Sequence, residues 1–138
     1  MKIVYIAHPI SGDVNGNLEK IRLIVRAVNL TFPDVVPFVP YYADCLALDD
    51  GNTDERARGI RNDREFFLQG IINEVWLFGP TISGGMHAEV ALANSLNTPV
   101  YAIAKSIQNE VRQTAVNGVS LPSKFNLPAA FLTKIANL

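Results

Sequence analysis

Val75-Trp76-Leu77-Phe78, four apolar residues in a row, are followed after a short turn by Ser83-Gly84-Gly85-Met86-His87-Ala88-Glu89. The first stretch reads as a buried strand, and the second as a glycine turn opening a helix that ends near Asn97. Adjacent glycines let the chain turn sharply and bring backbone N–H groups close to a ligand. The helix N-terminus adds partial positive charge at the same place.

The same order recurs on both sides of this unit. Residues 3–7 read as a buried strand, broken by His8-Pro9 and the Ser11-Gly12-Asp13 turn. A helix is predicted over 17–30, with apolar positions at Leu18, Ile21, Ile24, Val25 and Val28. Residues 35–39 form a second strand bounded by prolines. Residues 41–52 read as a loop, and Thr53-Asp54-Glu55 as the cap of a helix running to about residue 72. Pro99 precedes a fourth strand at 100–104.

Apolar strands alternating with helices predict a parallel sheet covered on both faces. The right-handed crossover rule then leaves a three-layer, doubly wound α/β fold, flavodoxin- or Rossmann-like, as a single domain over 1–138. The tail from 105 to 138 reads as two helices, at 107–116 and 129–136, around an irregular loop at 122–128. Closing the fold, packing on a partner subunit and covering a pocket are all open to it.

The 138 residues suffice to bury roughly two-thirds of the unfolded surface without disulfides or metal staples. A net charge of −1 and a pI near 6.1 supply no basic field for a nucleic acid polymer or an acidic membrane. The single cysteine, Cys45, cannot form an internal disulfide. No run approaches transmembrane length and no secretory signal is evident, so a soluble cytoplasmic protein is expected.

Glu89 is the odd member of its helix. At about 100° per residue it projects into the stripe of Met86, Val90, Ala93, Leu92 and Leu96. Two readings stand: a working carboxylate, or a glutamate that complements the helix dipole and snorkels outward. Asp63 behaves alike, projecting between Phe66 and Phe67 near Ile60, although aspartate is a poor mid-helix residue. Pairing with Arg56, Arg61 or Arg64, or a capping role, is its alternative. Two inward carboxylates aimed at one crevice suit acid/base or nucleophilic chemistry at a glycosidic carbon.

In such a fold ligands bind beyond the carboxyl ends of the strands, which brings the 8–12 loop and the 81–85 loop together. Neither loop is a Walker A or a Gly-x-Gly-x-x-Gly motif. Tyr5 is placed to hydrogen-bond a catalytic carboxylate, or to serve as a core tyrosine. His8 and His87 lack the partners of a metal site, so no metal and no cofactor are expected. Arg56, Arg58, Arg61 and Arg64 could meet a phosphate, but interleaved Glu55, Asp63 and Glu65 favour a solvated face.

Tyr5-Ile6-Ala7-His8-Pro9-Ile10-Ser11-Gly12, Asn62-Asp63 and Gly85-Met86-His87-Ala88-Glu89-Val90-Ala91 together resemble the nucleoside 2-deoxyribosyltransferase superfamily, which includes related nucleotide N-glycoside hydrolases. The resemblance covers roughly residues 2 to 104 and is nearest to small bacterial and phage domains of that superfamily. It implies that Glu89 attacks the anomeric carbon of a nucleoside or nucleotide, that Asp63 assists protonation of the leaving base, and that Tyr5 positions the nucleophile. It further implies that His8, Pro9, Ser11, Gly12, Ser83, Gly84, Gly85 and Met86 surround sugar or 5′-phosphate. A homodimer or larger homo-oligomer is implied as well, since sites in that superfamily are often completed by a neighbouring subunit.

Two departures bear on the substrate. Transferases of free nucleosides usually carry a further acidic residue just before the glutamate motif, where this chain has Ser83 and glycines, which leans toward a nucleotide. The hydrolases often carry a basic residue in the first loop, where this chain offers Ser11. The expected activity is therefore cleavage or exchange of an N-glycosidic bond; the alternative is a nucleotide-binding or sequestering module without chemistry.

Overall fold

Alternation along the first strand sorts the domain into layers. In β1 (Lys2–Ala7), Val4 and Ile6 point to one face of the sheet while Tyr5 and Ala7 point to the other, as period two requires. The computed structural model describes residues 1–123 and 126–138. Its order is β1, α1 (Val14–Thr31), β2 (Val35–Phe38), α2 (Tyr42–Ala47), α3 (Thr53–Leu68), β3 (Glu74–Leu77), α4 (Gly84–Ser95), β4 (Val100–Ala102), α5 (Lys105–Thr114) and α6 (Ala129–Ile135).

The strands form one parallel sheet in the order β2-β1-β3-β4. Tyr5 pairs in register with Val75 and Ala7 with Leu77, so these four face the same side. That side packs against Phe67 of α3, Met86, Val90 and Ala93 of α4 and Ile107 of α5. The opposite face buries Val4, Ile6, Trp76 and Phe78 against Ile24, Ala27 and Val28 of α1 and Phe131 and Ile135 of α6. Each fully buried side chain of this size contributes about 1.5–3 kcal/mol of transfer free energy. The expected three-layer, doubly wound fold is what the chain adopts. Among the described residues no helix is long and apolar enough to cross a membrane.

Local chemistry moves several boundaries. The Asp13 carboxylate accepts from Gly16 N at 3.1 Å, so α1 starts at Val14 rather than at residue 17. The cap of α3 is Asn52, whose side chain accepts from Asp54 N and Glu55 N; Thr53 is already helical. α3 stops at Leu68, short of residue 72, because Gly70 takes φ +72° and turns the chain out of the helix. The 41–52 segment is not all loop, since it contains α2. That helix buries no residue, so it leaves no apolar period in the sequence. β2 tolerates Pro37 because it is an edge strand, and β4 ends two residues early at Ala102.

The tail closes the fold. Ser120 bridges to the outer side of β4, accepting from Ala102 N and donating to Val100 O, both at 2.9 Å. Phe131 stands edge-on to Phe32, with ring centroids 5.0 Å apart. Of the irregular 122–128 loop, residues 124 and 125 lie outside the described residues.

Candidate functional site

The order β2-β1-β3 places the switch point between β1 and β3, whose following segments leave toward opposite faces of the sheet. A cavity of about 400 Å³ opens there. Its size falls in the range of small-molecule sites. Tyr5 forms part of its floor, α3 and α4 its walls, and α2 one side of its mouth.

Tyr5 is completely buried, yet its hydroxyl reaches Oδ2 of Asp63 at 2.7 Å and Oε2 of Glu89. The two carboxyls arrive from different helices. Ser83 caps α4 by accepting from Met86 N at 3.3 Å, and the buried Met86, Val90 and Ala93 fix the helix rotation that turns Glu89 inward. On α3, buried Phe67 anchors the same turn as Asp63, while Ile60 remains 59% exposed at the cavity rim. Leu96 is exposed too, so the apolar stripe of α4 is narrower than projected and Glu89 lies at its edge.

Electrostatics follow from this crowding. Burial raises the Asp63 pKa to about 6, against the Tyr5 hydrogen bond, which lowers it. Burial, then the Asp63 charge, pushes Glu89 well above the ordinary carboxylate range. Tyr5 is itself held protonated by burial and by both acids, so its hydroxyl remains a donor. One hydroxyl hydrogen serves two carboxylates only as a weaker, bifurcated donor. Both contacts are full hydrogen bonds where one carboxyl keeps a proton and donates it to the Tyr5 oxygen. Asp63 Oδ1, meanwhile, is buried without a hydrogen-bond partner.

The family model of a domain of unknown function (DUF7768) matches residues 2–103. The chain belongs to the DUF7768 family. The matched span holds Tyr5, Asp63 and Glu89 and ends before α5. Comparison with curated proteins and with solved structures returned no match.

Of the residues expected around the ligand, this DUF7768 domain brings His8, Ser11, Ser83, Gly84, Gly85 and Met86 to the cavity wall. Pro9 and Gly12 do not line it. The Pro9 ring sits against Gly79, where a Cβ would come within 2.6 Å of Pro9 Cδ, and Gly12 turns the chain at φ +94°. The His8 ring is buried, with Nδ1 2.7 Å from Pro9 O and Nε2 on Leu138 O, so both nitrogens are engaged by backbone. Asp63 makes no ion pair with Arg56, Arg61 or Arg64 among the described residues. Arg56 and Arg64 border the cavity from exposed positions, more than the solvated face expected of them.

Several lining residues of the DUF7768 domain carry no site signal in the sequence. The Tyr41 hydroxyl donates to Ile6 O at 2.5 Å and its ring lies 5.6 Å from that of Tyr5. Asp44 accepts from Asn62 Nδ2 at 2.9 Å, tying α2 to α3. Cys45 borders the cavity with its thiol pushed up to about 11 by burial, which keeps it neutral and a poor nucleophile. All three sit on or beside α2, and with no helix expected there no signal assigned them a direction. Among the described residues no cluster of His, Cys, Asp and Glu could hold a metal ion.

Proposed function

We propose that this protein cleaves or exchanges the N-glycosidic bond of a (deoxy)nucleoside or its 5′-monophosphate. One observation carries the reading: two carboxyls from separate helices share one buried hydroxyl at the floor of a nucleoside-sized cavity. The resemblance of the Tyr5, Asp63 and Glu89 motifs to the nucleoside 2-deoxyribosyltransferase superfamily supports it.

A pair that retains one proton holds what the reaction needs. Glu89, as carboxylate, attacks the anomeric carbon while the proton, on Asp63, passes to the departing base as the C–N bond breaks. The result is a glycosyl ester on Glu89 and an ionised Asp63. Water, or a second base, then attacks the ester; Asp63 takes the incoming proton and Glu89 is released as carboxylate. The Tyr5 hydroxyl touches both acids, so it offers the route by which the proton moves between them before attack. A homo-oligomeric assembly and a cytoplasmic setting belong to the same proposal.

One feature favours a second reading, a binding module without chemistry. Burial and the Asp63 charge push Glu89 toward its protonated form, and a protonated carboxyl is no nucleophile. The two readings part on incubation with a panel of nucleosides and 5′-monophosphates, with chromatography for free base. Release of base by the wild type, lost by about a thousandfold or more in Glu89→Gln while calorimetric binding stays within a few-fold, is the expected result. Saturable binding without product favours the module, and full turnover by Glu89→Gln removes the nucleophile assignment.

A further inference from the structure

The segment between β3 and α4 ends in the residues that border the cavity, and α5 pins it. Glu110 Oε1 accepts two hydrogen bonds from it, one from Thr81 Oγ1 at 2.5 Å and one from Ile82 N at 3.1 Å. Ser106, one turn earlier on α5, donates to Gly79 O at 2.6 Å. Ile82 is buried, so its amide lacks ready access to water and depends on Glu110 for a partner. α5 is itself fixed by Ile107, which is fully buried, and by the Gln108 side chain donating to Ile103 O at 2.9 Å.

We propose that Glu110 is a positioning residue for the cavity: from outside it, Glu110 holds Thr81 and Ile82 so that Ser83, Gly84 and Gly85 present their backbone to the ligand. Ser83 follows Ile82 directly and caps α4 through Met86 N, so a shift at Ile82 moves the cap and the glycine amides together. Glu89 depends far less on this contact, because Met86, Val90 and Ala93 hold α4 in the core. Glu110 therefore governs ligand binding and leaves the reacting carboxyls in place. Its charge is not essential, since both partners are neutral donors and a glutamine oxygen accepts from them equally.

The test has two arms, of which only the kinetic one rests on the proposed function. In the first, amide hydrogen exchange is followed at Ile82 and Met86 in the wild type, Glu110→Ala, Glu110→Gln and Thr81→Val. Glu110→Ala is expected to speed exchange at both amides by about tenfold or more, Thr81→Val by less, and Glu110→Gln to stay close to wild type. A merely local contact moves Ile82 and leaves Met86 unchanged, which overturns the proposal, as does a Glu110→Gln that behaves like Glu110→Ala. In the second arm, with 2′-deoxyadenosine as probe, Glu110→Ala raises KM about tenfold and changes kcat less than threefold; a fall in kcat at constant KM overturns it. A wild type that releases no base bears on the proposed function alone, and exchange at Met86 still decides the role of Glu110. Circular dichroism confirms that each variant is folded.

Discussion

Asp63 and Glu89, 26 positions apart on different helices, meet on a single oxygen, the hydroxyl of Tyr5. The arrangement stores charge in a place with little water. Burial raises both carboxyls; the tyrosine donor restrains the rise of each, and a hydrogen bond with Glu89 further restrains that of Asp63. The consequences can be measured without knowing the ligand.

Asp63 lowers stability at neutral pH. Its native pKa of about 6 stands above the ordinary 3.8, so its contribution is complete below pH of about 4 and is lost as pH rises through 6. Asp63→Asn removes that loss. Relative to wild type, the variant is expected to be more stable by about 2–3 kcal/mol at pH 8, a gain that vanishes near pH 4. Urea melts of both proteins across this range check it, and a pH-independent difference refutes the assignment of the shift to Asp63.

Tyr5→Phe keeps the ring and removes the hydroxyl. Two buried carboxyls then lose their shared donor, which costs about 1–3 kcal/mol. Because the hydroxyl lowers the pKa of both acids, its loss raises them further. If base release occurs, the acid limb of its pH–rate profile moves to higher pH. An unmoved limb together with unchanged stability means the hydroxyl touches neither acid in solution.

Phe131 tests whether the tail is integral. It is 1% exposed and stands edge-on to Phe32 on the α1 face of the sheet. Phe131→Ala is expected to lower the unfolding free energy by about 3–5 kcal/mol. Denaturant melts measure this, and a loss under about 1 kcal/mol shows that α6 docks only loosely.

Asn52→Ala tests the corrected start of α3. The Asn52 side chain serves two backbone amides, so its removal should cost about 1 kcal/mol by thermal or denaturant melting, whereas Thr53→Ala should cost little. The opposite ranking restores Thr53 as the cap.

The architecture was readable in the chain because its signals are local. Val75, Trp76 and Leu77 form a continuous apolar run, Ser83 is a cap chemically, and period-two alternation in β1 commits Tyr5 to one face whatever else the fold does. Asp63 and Glu89 stood out for a related reason, as charges on apolar helix faces. Their meeting was not readable. It depends on the register of β1 against β3 and on the rotations of α3 and α4, set by Phe67 and Met86 packing in a common core. α2 and the cavity residues it carries stayed hidden because a helix that buries nothing leaves no period, and Pro9 and Gly12 lie off the cavity wall because loop proximity to a site does not give side-chain direction. Short-range propensity and periodicity act within a few residues; distances between elements come only from packing, where every side chain constrains the others at once.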